Sequence, residues 1–383
     1  MTDLLIVGGG PAGLAVAIRA RQAGLTATVL DRSRPPIDKP CGEGLMPDGL
    51  ALLAEMGVAM AAEESAPFRG IRYLDGGAVA DGEFPRGIGL GVRRTALHRA
   101  LARRAEELGT ELRWEERATG LAPAGEGPST ERPGVVTEAG VLRGRFLVGA
   151  DGLLSRVRRW AGLERAAASP RDPRARFGVR RHFRLPPCDR VEVHWADRCE
   201  AYVTPVGPEL VGVAMLWSGG AASFDELLGR FPALRRRLEG AAVASRDQGC
   251  GPLAQRPRRV ARGRIALVGD ASGYLDAITG EGLSLAFHHA AALIEAISAP
   301  AGSAGDLARY ERAHRRLRRL PEALIRLLLA VERRPWLRRR TVRALAADPE
   351  LFSRILGVHA RALPVSAVGV SGALRLAWRL AAA

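Results

Sequence analysis

The sequence predicts an α/β fold: a dinucleotide-binding βαβ domain interleaved with an antiparallel β-sheet domain and followed by arginine-rich helices. Three observations predict it. Residues 4–9 are a continuous apolar run ending in glycine, as a buried parallel strand does. A Gly-rich turn, a helix pattern and a second strand ending in an acid follow within about thirty residues. Residues 170–250 instead alternate apolar and polar, the period of strands with one face buried.

The first turn reads Gly8-Gly9-Gly10-Pro11-Ala12-Gly13, the pattern G-x-G-x-x-G between a strand and a helix. Gly8 permits the tight turn, Gly10 lets backbone N–H groups approach a pyrophosphate, and Gly13 lets helix and strand pack closely. Leu14, Ala17 and Ile18 fall on one face of the helix over 11–24, which Gly24 ends. The second strand, TATVLD, stops at Asp31, eighteen residues past Gly13, where a carboxylate can take the hydroxyls of an adenosine ribose.

Two later strand ends carry similar chemistry. Residues 145–158, RFLVGADGLLSRVR, run from a strand into Asp151-Gly152, then Ser155 and Arg158. Residues 264–289 run from a strand into Gly269-Asp270, then Gly280-Glu281-Gly282 opening a helix. Each aspartate can accept from ribityl or ribose hydroxyls, and the helix start offers unpaired N–H groups to an electron-rich ring edge. Singly these are common turns; three such strand ends in this order point to a cofactor cradle.

The fingerprint at 8–13, the DGxxSxxR at 151–158 and the GDA at 269–271 resemble the FAD-binding motifs of single-component flavoprotein monooxygenases of the para-hydroxybenzoate hydroxylase type, and of their relatives the geranylgeranyl reductases. Arg94 and Leu97, in GVRRTALHRALARRAEELG, resemble the family's Arg-x-x-Leu helix start, and Tyr202 with Pro205 its aromatic-x-x-Pro cavity element. The match covers about residues 1–165 and 250–300.

The resemblance implies a glutathione-reductase-type FAD-binding Rossmann domain built discontinuously from 1–70, 90–165 and 250–300. A β-sheet substrate domain would take 71–89 and 170–249, and Arg-rich helices 301–383. FAD is expected on Gly8, Gly10, Pro11, Ala12, Gly13, Asp31, Arg32, Cys41, Gly42, Arg94, Ala118, Asp151, Asp270, Gly280, Gly282 and Leu283. No second G-x-G-x-x-G is present, so NADH or NADPH is expected as a transient reductant without its own Rossmann domain.

The implied activity is FAD-dependent oxidation or reduction. The primary expectation is an NAD(P)H-using monooxygenase acting on a hydrophobic small molecule, phenolic, polyketide or lipid-like. Reduction of C=C bonds in a prenyl or polyene substrate is the alternative, favoured by GDASGY, TGEG and PCGEG; a non-catalytic flavin-binding maturation factor is a further one. Halogenation fits worst, since Lys39 is the sole lysine and no Trp-x-Trp-x-Ile-Pro occurs. The loop DKPCGEGLMPDG, residues 38–49, begins seven residues after Asp31 and reads as a cofactor-contacting loop. Within it Cys41 is a redox or proton-donating candidate or a packing thiol, and Glu43 a proton donor or an N-cap for a helix over 48–57. Tyr202 is the third catalytic candidate. His288 and His289 read as core or surface residues, and Cys188 and Cys199 as strand residues.

Composition sets the outer limits. Length (383 residues), 47% hydrophobic and 26% charged residues suit a folded enzyme with real cores. Four cysteines without a CxxC pair suit neither a disulfide framework nor a metal centre, and reduced cytoplasmic thiols are expected. The N-terminus has no secretory pattern, and no long window is charge-free, so no spanning helix is expected. The net charge of +16 rests on 56 arginines and a single lysine, with no asparagine, which reads as coding bias rather than a nucleic-acid surface. Residues 309–343 alone supply +10, with Leu317, Leu320, Leu324, Leu327, Leu328 and Val331 at helical spacing. Amphipathic helices broken near Pro321 and Pro335 are expected there. They form either a solvated face on the body or a peripheral contact with anionic lipid at the inner face of the membrane.

Overall fold

The computed structural model describes residues 2–123, 132–165, 172, 174–298 and 306–382. The expected domain boundaries between 165 and 170 and between 300 and 301 lie outside these described residues.

The βαβ unit forms as its sequence dictates. Strand Thr2–Val7 is flanked by parallel neighbours, with Val7 beside Leu30 on one side and Gly149 on the other. Strand Ile265–Leu267 extends the sheet beyond Gly140–Gly149, and Glu111–Trp114 beyond Ala27–Asp31, all parallel. Helix Pro11–Gln22 has proline at its first position, where a missing N–H costs nothing. Leu4, Ile6, Leu14 and Ile18, all fully buried, pack one face of this sheet against helices Arg94–Glu107 and Gly282–Ile297. The crevice at the carboxyl ends of the central strands is where ligands enter such sheets.

A second sheet of seven strands lies over that crevice among the described residues. Arg176–Arg184, Leu210–Ser218, Cys199–Gly207 and Arg190–Ala196 pair antiparallel in that spatial order. Gly70–Asp75 then joins Arg190–Ala196 in parallel, Arg190 opposite Gly70, so the 70s hairpin belongs to the roof although it is far away in sequence. The outer face of the roof packs on two short helices through Phe224, Leu227 and Leu234, the first of them started by a Ser223–Glu226 capping box. Another part of the sheet packs on C-terminal helices through Val193, Trp195, Val342 and Phe352.

Three local expectations are corrected. Helix Asp306–Glu332 runs unbroken through Pro321, while Pro335 opens the next helix, Pro335–Ala346. Proline leaves the carbonyl four residues back without its helical donor. Here that carbonyl, Leu317 O, accepts from Arg361 Nη2 at 3.1 Å, so a tertiary donor replaces the lost bond. Glu43 does not cap the helix at Pro47–Glu55, whose N-cap is Met46; its side chain is engaged elsewhere. Cys188 precedes the strand Arg190–Ala196 rather than lying within it, whereas Cys199 opens Cys199–Gly207.

Candidate active site

The Gly-rich turn is held by contacts that leave no room for side chains. A Cβ on Gly8, which has φ +111°, would lie 2.4 Å from Ala150 O, and one on Gly13 1.9 Å from Gly8 O. Gly10 differs, because a Cβ there would meet only Arg94 Nη2, at 3.5 Å. The turn is therefore packed hard on its inner side and open toward a guanidinium on its outer side. The Nε of Arg94 is buried with no hydrogen-bond partner. An unpaired cationic donor facing backbone N–H groups at a helix start fits the diphosphate of FAD.

Asp31 closes the next strand and binds the turn itself. Its Oδ2 accepts from Gly9 N at 2.9 Å and its Oδ1 from Ser33 N at 2.8 Å, which leaves acceptor capacity for a ribose. His98, which sequence reasoning missed, is fully buried and donates from Nε2 to Gly9 O at 2.9 Å. Burial holds its pKa below the ordinary value, which keeps the ring neutral. No local pattern marked His98, because its partner is 89 residues away. Arg32, beside Asp31, is exposed, and Ala118 is packed with Leu5, Val7 and Leu30 on the other face of the sheet.

Asp151 occupies a different position from the one its motif suggested. Its carboxylate accepts from Ser155 Oγ at 2.5 Å, Arg156 N at 2.6 Å and Val157 N at 3.1 Å, so it organises the start of helix Arg156–Trp160. Its neighbours Ala150, Gly152 and Leu153, not Asp151 itself, line the cavity. Asp270 does line it, and desolvation draws its pKa upward against the opposing charges of Arg94, Lys39 and Arg318. Gly280, with φ +70°, turns the chain into helix Gly282–Ile297, whose first N–H groups have no intrahelical acceptor. Gly282 and Leu283 therefore present a helix N-terminus to the cavity.

The loop over 39–44 forms the side of the same cavity, whose volume is about 290 Å³. Glu43 is buried, with φ +59°, and bolts the loop to both domains. Its Oε1 accepts from Arg94 N at 2.8 Å, and its Oε2 lies 2.6 Å from His182 Nε2 in the roof. The Nδ1 of His182 lies 2.8 Å from Ser245 Oγ and 2.9 Å from Arg180 Nη1; Arg180 in turn pairs with Asp38 at 2.6 Å. His182 and Arg180, from the strand Arg176–Arg184, were not identified from sequence.

Cys41 Sγ accepts from Glu43 N at 3.3 Å. Burial pushes its thiol above the ordinary value, with Arg94 pulling the other way, so the sulfur holds its proton. Cys250 shares the cavity, its thiol pushed up to about 11 by burial. Tyr202 faces the cavity but donates its hydroxyl to Ile278 O at 2.9 Å, and burial raises its pKa well above normal. Most of the remaining roof is apolar, with Ile71, Val179, Val191, Val193 and Met215 on the wall. Among the described residues no cluster of His, Cys, Asp or Glu could hold a metal ion.

Comparisons with known proteins agree with this geometry. A family described as an FAD binding domain matches residues 1–198, just over half of the chain's 383 residues. The digeranylgeranylglycerophospholipid reductase of Methanosarcina mazei is 27% identical over 310 residues, covering 73% of this chain and 71% of its own. The chloroplastic geranylgeranyl diphosphate reductase of Oryza sativa subsp. japonica is 29% identical over 349 residues, covering 80% of this chain and 69% of its own. A flavoprotein/dehydrogenase structure from Cytophaga hutchinsonii superposes with a TM-score of 0.77 at 18% identity, over 94% of this chain and 92% of that one, which shows a common fold. Cradle, roof and comparisons together place the chain in the FAD binding domain family, as an FAD-dependent oxidoreductase of the superfamily of para-hydroxybenzoate hydroxylase and the geranylgeranyl reductases.

Proposed function

We propose that this enzyme reduces carbon–carbon double bonds of a long, apolar, prenyl-like substrate, with NADH or NADPH as transient reductant. FAD, when bound, supplies hydride chemistry. The cradle residues Gly10, Arg94 and Gly282 would hold it, and the chain's own task is to bind the substrate and control a proton.

The observation that carries this reading is the neutral thiol of Cys41 at the edge of an apolar cavity. Saturating a double bond needs a proton at one carbon in addition to hydride at the other. Cys41 Sγ carries that proton, and in its contact with Glu43 the sulfur accepts, so the S–H is not spent in that bond. Hydroxylation of a phenol asks instead for a base or polar anchor for the ring oxygen. Two of the sequence-derived candidates are engaged elsewhere: Tyr202 donates to Ile278 O, and Glu43 is held by Arg94 N and His182. The two relatives described above are both reductases of geranylgeranyl compounds, which supports the same choice. This reverses the order of the two reactions expected from the sequence as a whole.

The test is anaerobic stopped-flow. Holoenzyme reduced by NADPH is mixed with geranylgeranyl diphosphate, with a geranylgeranyl lipid, or with a fully saturated analogue. Return of the oxidised-flavin absorbance with either unsaturated compound, and not with the saturated one, is the expected result. Reoxidation only on admitting oxygen, with a hydroxylated product, would establish the monooxygenase reaction instead.

A further inference from the structure

We propose that helix Gly369–Ala382, together with Trp336, docks the protein onto the surface of an anionic lipid bilayer. The inference concerns a surface outside the cavity and does not depend on which reaction the cavity performs.

The helix is amphipathic in an inverted sense. Gly372 is buried and Leu376 packs inward; a Cβ on Gly372 would lie 3.1 Å from Leu351 Cδ1. Arg375 and Arg379 reach Asp348, each at 3.7 Å. The larger apolar side chains point the other way. Val370, Leu374 and Trp378 recur every fourth residue and are 78%, 65% and 69% exposed. Spacing of four places them on one stripe. Nothing among the described residues covers it.

Trp336, at the start of helix Pro335–Ala346, is 60% exposed and belongs to the same surface. Arg340 links the two helices, its guanidinium 5.9 Å from the Trp336 ring centre and its Nη1 donating to Leu380 O at 3.4 Å. The flank is basic without acidic relief: residues 333–347 hold six arginines and no Asp or Glu. Of these only Arg338 is buried, paired with Asp75, while Arg333, Arg334, Arg339 and Arg343 are exposed.

Charge decides the occupant. A second copy meeting this stripe two-fold would set one arginine rim against the other. An anionic bilayer offers opposite charge to the rim, an apolar layer to the stripe, and the interfacial depth that indole rings favour. The surface shares Trp336 and its arginine rim with the segment 309–343 that charge suggested, but its apolar stripe lies on Gly369–Ala382, because Ile325, Leu328 and Leu329 of helix Asp306–Glu332 face the core. Leu328 and, on helix Pro349–His359, His359 also line the cavity, so the helices that carry or border the docking face wall the site.

The test is flotation of the FAD-loaded protein with vesicles of phosphatidylcholine alone or with added phosphatidylglycerol, at low and high salt. The wild type should float with the anionic vesicles at low salt and be released by high salt. Leu374→Ser/Trp378→Ser, with FAD content and Tm unchanged, should bind them on the order of tenfold more weakly. Arg339→Gln/Arg343→Gln should lose the preference for anionic lipid. Wild-type protein that stays unbound, or a stripe variant that floats like wild type, would overturn the proposal. So would light scattering showing a dimer that the stripe variant abolishes without any vesicle binding, which would assign the stripe to a second copy.

Discussion

The two walls of the cavity are built on opposite principles. The cradle wall is backbone: Gly8, Gly10 and Gly13 bring main chain within contact distance, and the polar work is done by N–H groups, Arg94 and a helix start. The roof wall is side chain: valines, Ile71 and Met215 face inward, while two of its polar side chains, His182 and Tyr202, are bound to Glu43 and to Ile278 O. A wall of backbone recognises what every flavoenzyme of this kind shares, the diphosphate and the ring edge. A wall of side chains can change its substrate by changing residues without disturbing the cradle. The loop over 39–44 is the hinge between them, with Glu43 bound to Arg94 N on the cradle side and His182 on the roof side.

The sharpest way to break this comparison is at Gly13. A Cβ 1.9 Å from Gly8 O cannot be absorbed by a rotamer change. Gly13→Val should therefore yield no FAD-loaded protein, read as flavin absorbance per polypeptide, whereas Val193→Ala on the roof should cost about 1–3 kcal/mol and leave flavin content intact.

Next in size is the chemistry. Cys41→Ala should lower turnover by roughly 10²–10⁴-fold, the usual worth of a positioned acid, with unchanged FAD content and Tm. Cys41→Ser should recover part of the loss.

The roof also carries a buried charge cluster whose effect appears against pH. Arg176 is paired with Glu200 and, at 2.8 Å, with Asp276, and lies 3.8 Å from Glu332. Burial pushes the Glu200 carboxyl up to about 8 from its ordinary 4.5, despite the opposing charge of Arg176. The folded state thus binds a proton that the unfolded state has released between these values. The stability this contributes is complete below pH 4.5 and lost as pH rises through about 8. Thermal melts should show that decline in the wild type and a flatter profile in Glu200→Gln.

The smallest effect belongs to Tyr202. Removing its hydroxyl leaves Ile278 O without that donor, so Tyr202→Phe should cost about 1 kcal/mol in Tm-derived stability and little in turnover. A large loss of turnover alone would return Tyr202 to the chemistry.

The same contrast explains what sequence could reveal. The cradle was legible because its determinants are local: a glycine spacing, a strand end and a helix start lie within a few residues of each other. The roof was legible only as a sheet. His182 meets Glu43 across 139 residues and Arg176 meets Asp276 across 100, and no spacing rule reaches that far. Asp151 shows the converse, a motif residue whose carboxylate serves its own loop. Pro321 shows a local rule overruled by a distant arginine.

The most direct measurement of the central claim, that the apolar roof and the Cys41 proton serve reduction, is the mass of the product. Holoenzyme fed NADPH without oxygen in deuterated water should add two hydrogens to each double bond of a geranylgeranyl substrate, at least one of them deuterium, the one delivered as a proton by the exchangeable thiol. A product that forms only in air and carries a new oxygen, with every double bond intact, would contradict it.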